Sequence, residues 1–123
     1  MPEIAEVRTV RDALKKTLIG KTIINVNVIY PGIVKSDLNE FKSVLKGKTF
    51  KEITTIGKWI IFNFGEYSLV SHLRMEGKYY YKSSFEPLEI HEHIVFNLDN
   101  DFDLRYKDVR KFGVMILCKT SEV

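Results

Sequence analysis

The chain has 123 residues, 45% of them aliphatic or aromatic and 28% charged, with 19 lysines and arginines against 16 carboxylates for a net charge of +3. That balance suits one soluble globular domain with a sizeable core; it excludes a disordered chain, and no apolar run approaches the ~20 residues of a membrane span. A single cysteine, Cys118, excludes an internal disulfide framework and a cysteine-built zinc site, and with no secretory leader at its start the protein is expected in the cytoplasm.

The chain opens Met1-Pro2-Glu3-Ile4-Ala5-Glu6. Removing Met1 would leave a secondary amine beside two carboxylates. An α-amino group has a pKa of about 8 and lysine about 10.4, so at pH 7 roughly a tenth of the former is neutral and nucleophilic, and far less of the latter. Such an amine can attack an aldehyde-like carbon to form a Schiff base, and Glu3 and Glu6 can move the protons that later steps need. The plainer reading is a helix start, where proline fits the first turn and acidic side chains complement the dipole.

From Glu3 to Ile19, Ile4, Val7, Val10, Leu14 and Leu18 recur at helical spacing, and Gly20 stops the helix. Alternation from Thr22 to Val28 predicts a half-buried strand, ended by Pro31-Gly32. Ser36 is the expected cap of a second helix running to about Lys46, with Leu38, Phe41, Val44 and Leu45 on its apolar face and Gly47 as its stop.

Seven further strand-like runs follow, Thr49–Ile56, Trp59–Phe64, Ser68–Leu73, Lys78–Tyr81, Ile94–Leu98, Phe102–Tyr106 and Val114–Leu117, separated by short polar turns. The expected fold is α+β and mostly β: a two-sheet antiparallel β-sandwich with an N-terminal helix and a second helix at its edges. Cys118 then reads as a small buried hydrophobe.

Four internal segments carry possible chemistry. Lys58, after Gly57 at a strand entrance, is a solvated surface residue or a cation gripping phosphate. In Ser71-His72-Leu73-Arg74-Met75-Glu76-Gly77-Lys78, Met75 is either core or, on a turn, an apolar wedge for a base stack, and His72 is either structural or a contact residue. In His91-Glu92-His93, strand alternation would put both imidazoles on one face and Glu92 on the other, a weak metal pattern even with His72 as a third ligand. The stretch Arg105 to Lys111 holds four basic residues against one acid. Within Asp108-Val109-Arg110-Lys111-Phe112-Gly113, the basic and aromatic residues form an exposed loop or enter a duplex, and Gly113 allows a tight bend into the last strand.

These segments together resemble the bacterial formamidopyrimidine-DNA glycosylases. The resemblance rests on Met-Pro-Glu-Ile-x-Glu-Val at 1–7, Gly57-Lys58, His-Leu-Arg-Met-Glu-Gly-Lys at 72–78, His-x-His at 91–93 and Asp-Val-Arg-Lys-Phe-Gly at 108–113. It implies that Pro2 is the nucleophile that attacks the sugar of a damaged purine nucleotide, followed by β- and δ-elimination. Glu3 is then the proton-transferring carboxylate, with Glu6 supporting it, and Lys58 contacts phosphate and assists. Met75, Arg110 and Phe112 fill the gap left by the extruded base, and His72 and His93 contact DNA.

The implied partner is double-stranded DNA with oxidised purines or abasic sites, with no membrane and no obligate protein partner. Residues 1–123 are expected to be the N-terminal catalytic domain, without the helix-two-turn-helix and zinc-finger parts that follow in the family, and hence weakly active or inactive alone. No cofactor is expected in this chain, since the zinc belongs to that finger. Ala5 departs from the family, which usually has a second proline there, leaving the helix entry less rigid. Competing readings are a non-catalytic module for distorted DNA, a Nei-type enzyme for oxidised pyrimidines, and a basic sandwich that binds a protein partner.

Overall fold

The computed structural model describes residues 2–123. Helix α1 (Ile4–Leu18) is followed by β1 (Ile23–Val28), α2 (Leu38–Leu45), β2 (Glu52–Ile56), β3 (Trp59–Asn63) and β4 (Tyr67–His72). The chain continues through β5 (Lys78–Ser83), β6 (Glu92–Leu98), β7 (Phe102–Lys107) and β8 (Val114–Lys119). Two four-stranded sheets, in the orders β1-β6-β7-β5 and β2-β3-β4-β8, pair antiparallel throughout. The expected sandwich and its flanking helices are present.

The core lies between the sheets. Ile53, Ile60, Phe62, Leu69, Met115 and Leu117 from one sheet meet Ile23, Val26, Ile94, Phe96, Leu104 and Tyr106 from the other, as period-two alternation requires. Helix α1 seals one side against β2 and β3 with Val7, Leu14 and Leu18; α2 packs Phe41 and Leu45 beside β1. Phe50, between α2 and β2, sits edge-on to Phe62 at 5.9 Å. No helix among the described residues is long and apolar enough to cross a membrane.

Three local expectations are corrected. Asp37, not Ser36, caps α2: its Oδ1 accepts the Glu40 N–H at 2.8 Å, while Ser36 Oγ accepts from Leu117 N–H at 3.1 Å and ties the incoming chain to β8. Both residues are capping types, and tertiary pairing took the serine. Cys118 is half-buried, since it points to the outer face of its sheet. Arg105 is 3% exposed, so one of the four cations of the basic stretch is internal. It pairs with Glu92 at 3.0 Å and Asp103 at 3.0 Å, and it donates to the carbonyls of Glu86 and Pro87, which holds the segment joining β5 to β6.

The register brings the chemistry together. Gly57-Lys58 joins β2 to β3, and Trp59 pairs with His72, which pairs with Val114. In the other sheet Lys78 pairs with Lys107, and Lys107 with Glu92. The turns β2–β3, β4–β5 and β7–β8 and the entrance to β6 therefore open at one end of the sandwich.

Candidate active site

Glu3 is the extended residue that begins α1, with φ −74° and ψ 164°. The Glu6 carboxylate reaches back to its N–H at 3.4 Å, and Val7 N–H donates to the Glu3 carbonyl at 3.0 Å. Both acids are exposed and Pro2 is half-buried. Pro2, Glu6 and Val10 form one wall of a cleft of about 250 Å³, and Leu73, Met75, Glu76 and Lys78 form the other. The positive end of α1 faces this cleft, where it disfavours a protonated amine and favours carboxylates. The expected removal of Met1 lies outside the described residues.

The β4–β5 turn settles the orientation of Met75. Leu73 is buried, Arg74 takes φ +57° and donates its N–H to His72 Nδ1 at 3.0 Å, and Gly77 N–H closes the turn onto the Leu73 carbonyl at 3.0 Å. Met75 is thrown outward, 48% exposed. An apolar side chain of that size on a hydrogen-bonded turn leaves its desolvation gain to a partner.

Lys58 sits half-buried in the β2–β3 turn, where Gly57 takes φ +57°. The His72 ring lies edge-on to Trp59 at 5.0 Å. Partial burial, then the charges of Arg74 and Lys58, hold the imidazole below its ordinary pKa. Lys58, His72 and Arg74 thus form a basic cluster beside the cleft, suited to a phosphate backbone. Arg74 had no separate role in the sequence reading.

The β7–β8 loop hangs from Asp108, which is 1% exposed. Its Oδ1 accepts from Lys111 N–H at 3.1 Å, and its Oδ2 from Gly113 N–H and from the Tyr106 hydroxyl, each at 2.8 Å. The loop presents Val109 and Phe112, each 54% exposed, together with Arg110, whose Nε meets Glu76 Oε1 across the two turns at 3.3 Å. Lys111, at φ +60°, extends its ammonium over the Tyr30 ring at 4.5 Å. The positive φ of the loop lies at Lys111 and not at Gly113; a Cβ at Gly113 would stand 1.6 Å from Tyr106 Oη, which is what requires the glycine.

The two neighbouring histidines differ from the strand expectation. His91 lies before β6 at φ +69°, and the pairing slips between Glu92 and Ile94, so simple alternation fails. His93 is buried, and its Nε2 lies 2.7 Å from the Asp108 carbonyl, which can only accept, so that nitrogen carries the proton. His93 therefore braces the loop through Nε2 while it also lines the open groove beside it. Half-exposed His91, passed over as a contact residue, shares an open groove with Tyr30, Ile90 and Lys111. Glu92 faces Arg105 and Lys82. No cluster of three or more His, Cys, Asp or Glu suited to a metal occurs among the described residues. The Asp108 network was legible only as an acid three residues before Lys111 and five before Gly113.

Of the nine candidate residues, Pro2, Glu6 and Met75 share the cleft; Glu3 adjoins it at the start of α1; Lys58 and His72 stand beside it; Arg110 and Phe112 project from the neighbouring loop; and His93 supports that loop from within.

The Formamidopyrimidine-DNA glycosylase N-terminal domain family model matches residues 1–115. The formamidopyrimidine-DNA glycosylase of Lactobacillus delbrueckii subsp. bulgaricus is 44% identical over 121 residues, covering 98% of this chain and 44% of that protein. That of Streptococcus agalactiae is 43% identical over 123 residues, covering the whole chain and 45% of that protein. A crystal structure of Lactococcus lactis Fpg with abasic-site DNA superposes with a TM-score of 0.95 at 41% identity, over 98% of this chain and 45% of that one. The chain thus spans a little under half the length of these relatives. On the match over residues 1–115, the shared fold and the near-complete coverage at over 40% identity, the chain belongs to the formamidopyrimidine-DNA glycosylase N-terminal domain family.

Proposed function

We propose that this protein supplies the catalytic half of a base-excision DNA glycosylase and abasic-site lyase for oxidised purines, 8-oxoguanine and formamidopyrimidines, in double-stranded DNA. The carrying observation is that Pro2 and Glu6 line the same cleft as the outward-facing Met75, with Arg110 and Phe112 projecting beside it. Relatives of the same fold have been crystallised with DNA containing an abasic site and with DNA containing FAPY-dG.

In this reading Met1 is removed and the Pro2 nitrogen attacks C1′ of the damaged nucleotide. The C1′–N bond breaks, its electron pair leaves with the base, and a proton reaches the leaving group. The sugar ring opens and the nitrogen lone pair forms an iminium with C1′. Loss of a C2′ proton to a carboxylate then expels the 3′ phosphate, and a second elimination expels the 5′ phosphate. Glu3 is the proton carrier; Glu6 holds the helix start and supports it. Lys58 and His72 grip phosphates, while Met75, Arg110 and Phe112 occupy the vacated stack, offsetting part of the few kcal/mol that base extrusion costs. Zinc is assigned to the part of the relatives beyond this span, together with the rest of the DNA grip, and cytoplasmic location follows from acting on bacterial chromosomal DNA.

Borohydride trapping on an oligonucleotide with an abasic site tests the reading, because such DNA spares the protein from expelling a base. A covalent band that disappears when Met1 is retained identifies the Pro2 amine. Absence of any band at saturating protein, both from this span and from a chain completed with a relative's C-terminal half, sinks the catalytic reading; duplex binding selective for distorted DNA would then mark a non-catalytic module. Release of thymine glycol in preference to 8-oxoguanine by a chain completed with a relative's C-terminal half would move the substrate to oxidised pyrimidines.

A further inference from the structure

Tyr106 sits in the last turn of β7 wholly buried, yet its hydroxyl is wedged between the two loops that carry the projecting side chains. A Cβ at Gly77 would lie 2.3 Å from that oxygen and 2.7 Å from the Leu73 carbonyl, and one at Gly113 would lie 1.6 Å from it. Each loop therefore presses bare backbone onto the same atom. The hydroxyl donates to Asp108 Oδ2, which also takes the Gly113 N–H, while Oδ1 takes the Lys111 N–H. Behind it, His93 Nε2 donates to the Asp108 carbonyl, and Asp108 N–H donates to the His91 carbonyl at 3.0 Å. At the surface Arg110 and Glu76 join the same two loops again.

Resting on the function proposed above, we infer that Tyr106 and Asp108 are positioning residues: a buried lock that fixes the β4–β5 turn against the β7–β8 loop, so that Met75 and the Arg110–Phe112 pair enter DNA as one preformed wedge. A carboxylate with three donors around it has little freedom to reorient, and a buried hydroxyl between two glycines cannot shift without moving both loops. Burial, then Tyr79 and Asp108, push the Tyr106 phenol far above its ordinary pKa, which keeps it a donor. A wedge ordered before it meets DNA loses less conformational freedom on insertion than two independently mobile loops. The lock therefore matters where a void in a stacked duplex must be filled, and not where DNA is already single-stranded.

Two measurements on Tyr106→Phe test this, with Asp108→Asn, which preserves volume, as the second variant. In the free protein, amide hydrogen exchange should accelerate about tenfold in residues 73–77 and 108–113 together, the scale of one lost buried hydrogen bond, while the β2–β3 turn is unchanged. Acceleration in only one of the two loops, or throughout the chain, overturns the lock. On DNA, the ratio of borohydride trapping on an abasic duplex to trapping on the abasic single strand should fall about tenfold. A purely structural role lowers both substrates equally and leaves the ratio unchanged, which overturns the proposal. Should the unaltered protein, alone and completed with a relative's C-terminal half, trap neither DNA, the functional reading fails and takes the DNA half of this inference with it, while hydrogen exchange still judges the lock. Unaltered trapping with an unchanged ratio in both variants defeats the lock alone.

Discussion

At the residue scale, His72 joins a perturbed imidazole to a surface of phosphate-binding character. Partial burial and the cations Arg74 and Lys58 lower its pKa, which favours the neutral ring in the free protein. An approaching phosphate reverses that balance and favours the protonated ring. Affinity for abasic duplex should therefore rise as pH falls from about 8 to 6, and His72→Gln should remove the rise. Fluorescence anisotropy across that range checks it, and a pH-independent affinity in the unaltered protein would count against His72 as a DNA contact. The same depression means that the unfolded chain takes the proton first, so the stability tied to neutral His72 is present above 6.5 and is lost as pH falls through its lower folded value.

At the element scale, two short devices hold pieces that period alone does not specify. Helix α2 is only eight residues long, too short to persist without packing and a cap. Asp37→Ala should cost about 1 kcal/mol in urea unfolding, while Ser36→Ala should loosen the chain at β8 without altering the helix start. The second device is steric. Gly113→Ala should destabilise the fold by about 1–3 kcal/mol, because the methyl meets a buried hydroxyl and not open space. Gly20→Ala, which has positive φ but nothing within 4 Å, should cost less. Equal losses at the two positions would show that the steric contact at Gly113 weighs no more than the backbone strain at Gly20.

At the scale of the whole molecule, charge is divided between a surface cluster and an internal network. Burial raises the pKa of Glu92, but the Glu89 N–H, Lys82 and Arg105 outweigh it and bring the carboxyl below its ordinary 4.5. A lowered carboxylate contributes stability above that value and loses it as pH falls through the folded pKa. Glu92→Gln should thus destabilise the protein by about 1.5–3 kcal/mol at pH 7, leaving Arg105 with Asp103 as its one charged partner among those named, and the gap to the unaltered protein should narrow below pH 4.5. Urea midpoints at pH 7 and pH 3 measure this; a gap that stays constant would show that Glu92 acts through packing. The outward cations predict the other global property. DNA binding by residues 1–123 should be weak and fall steeply with salt, roughly one decade in affinity per decade of salt for each phosphate neutralised. Tight, lesion-selective binding in a salt titration would overturn that expectation.

Periodicity by itself determined the two helices, the eight strands and the sandwich, because alternation at two and at 3.6 residues records which side chains must leave water, and a core this size has few ways to bury them. The unusual opening Pro2-Glu3 and the runs at 72–78 and 108–113 likewise carried the family resemblance that the match over residues 1–115 shows. What period two leaves undetermined is everything that departs from it. Met75 points outward because Arg74 adopts φ +57°; His91 leaves the strand through its own positive φ and a slipped register. Arg105 and Glu92 face inward because each finds the other there. His93, Asp108 and Tyr106 join only when β6 and β7 pair and the following loop folds back on them. Those contacts depend on residues distant in sequence satisfying buried polar groups, a constraint that exists only once the sheets have closed.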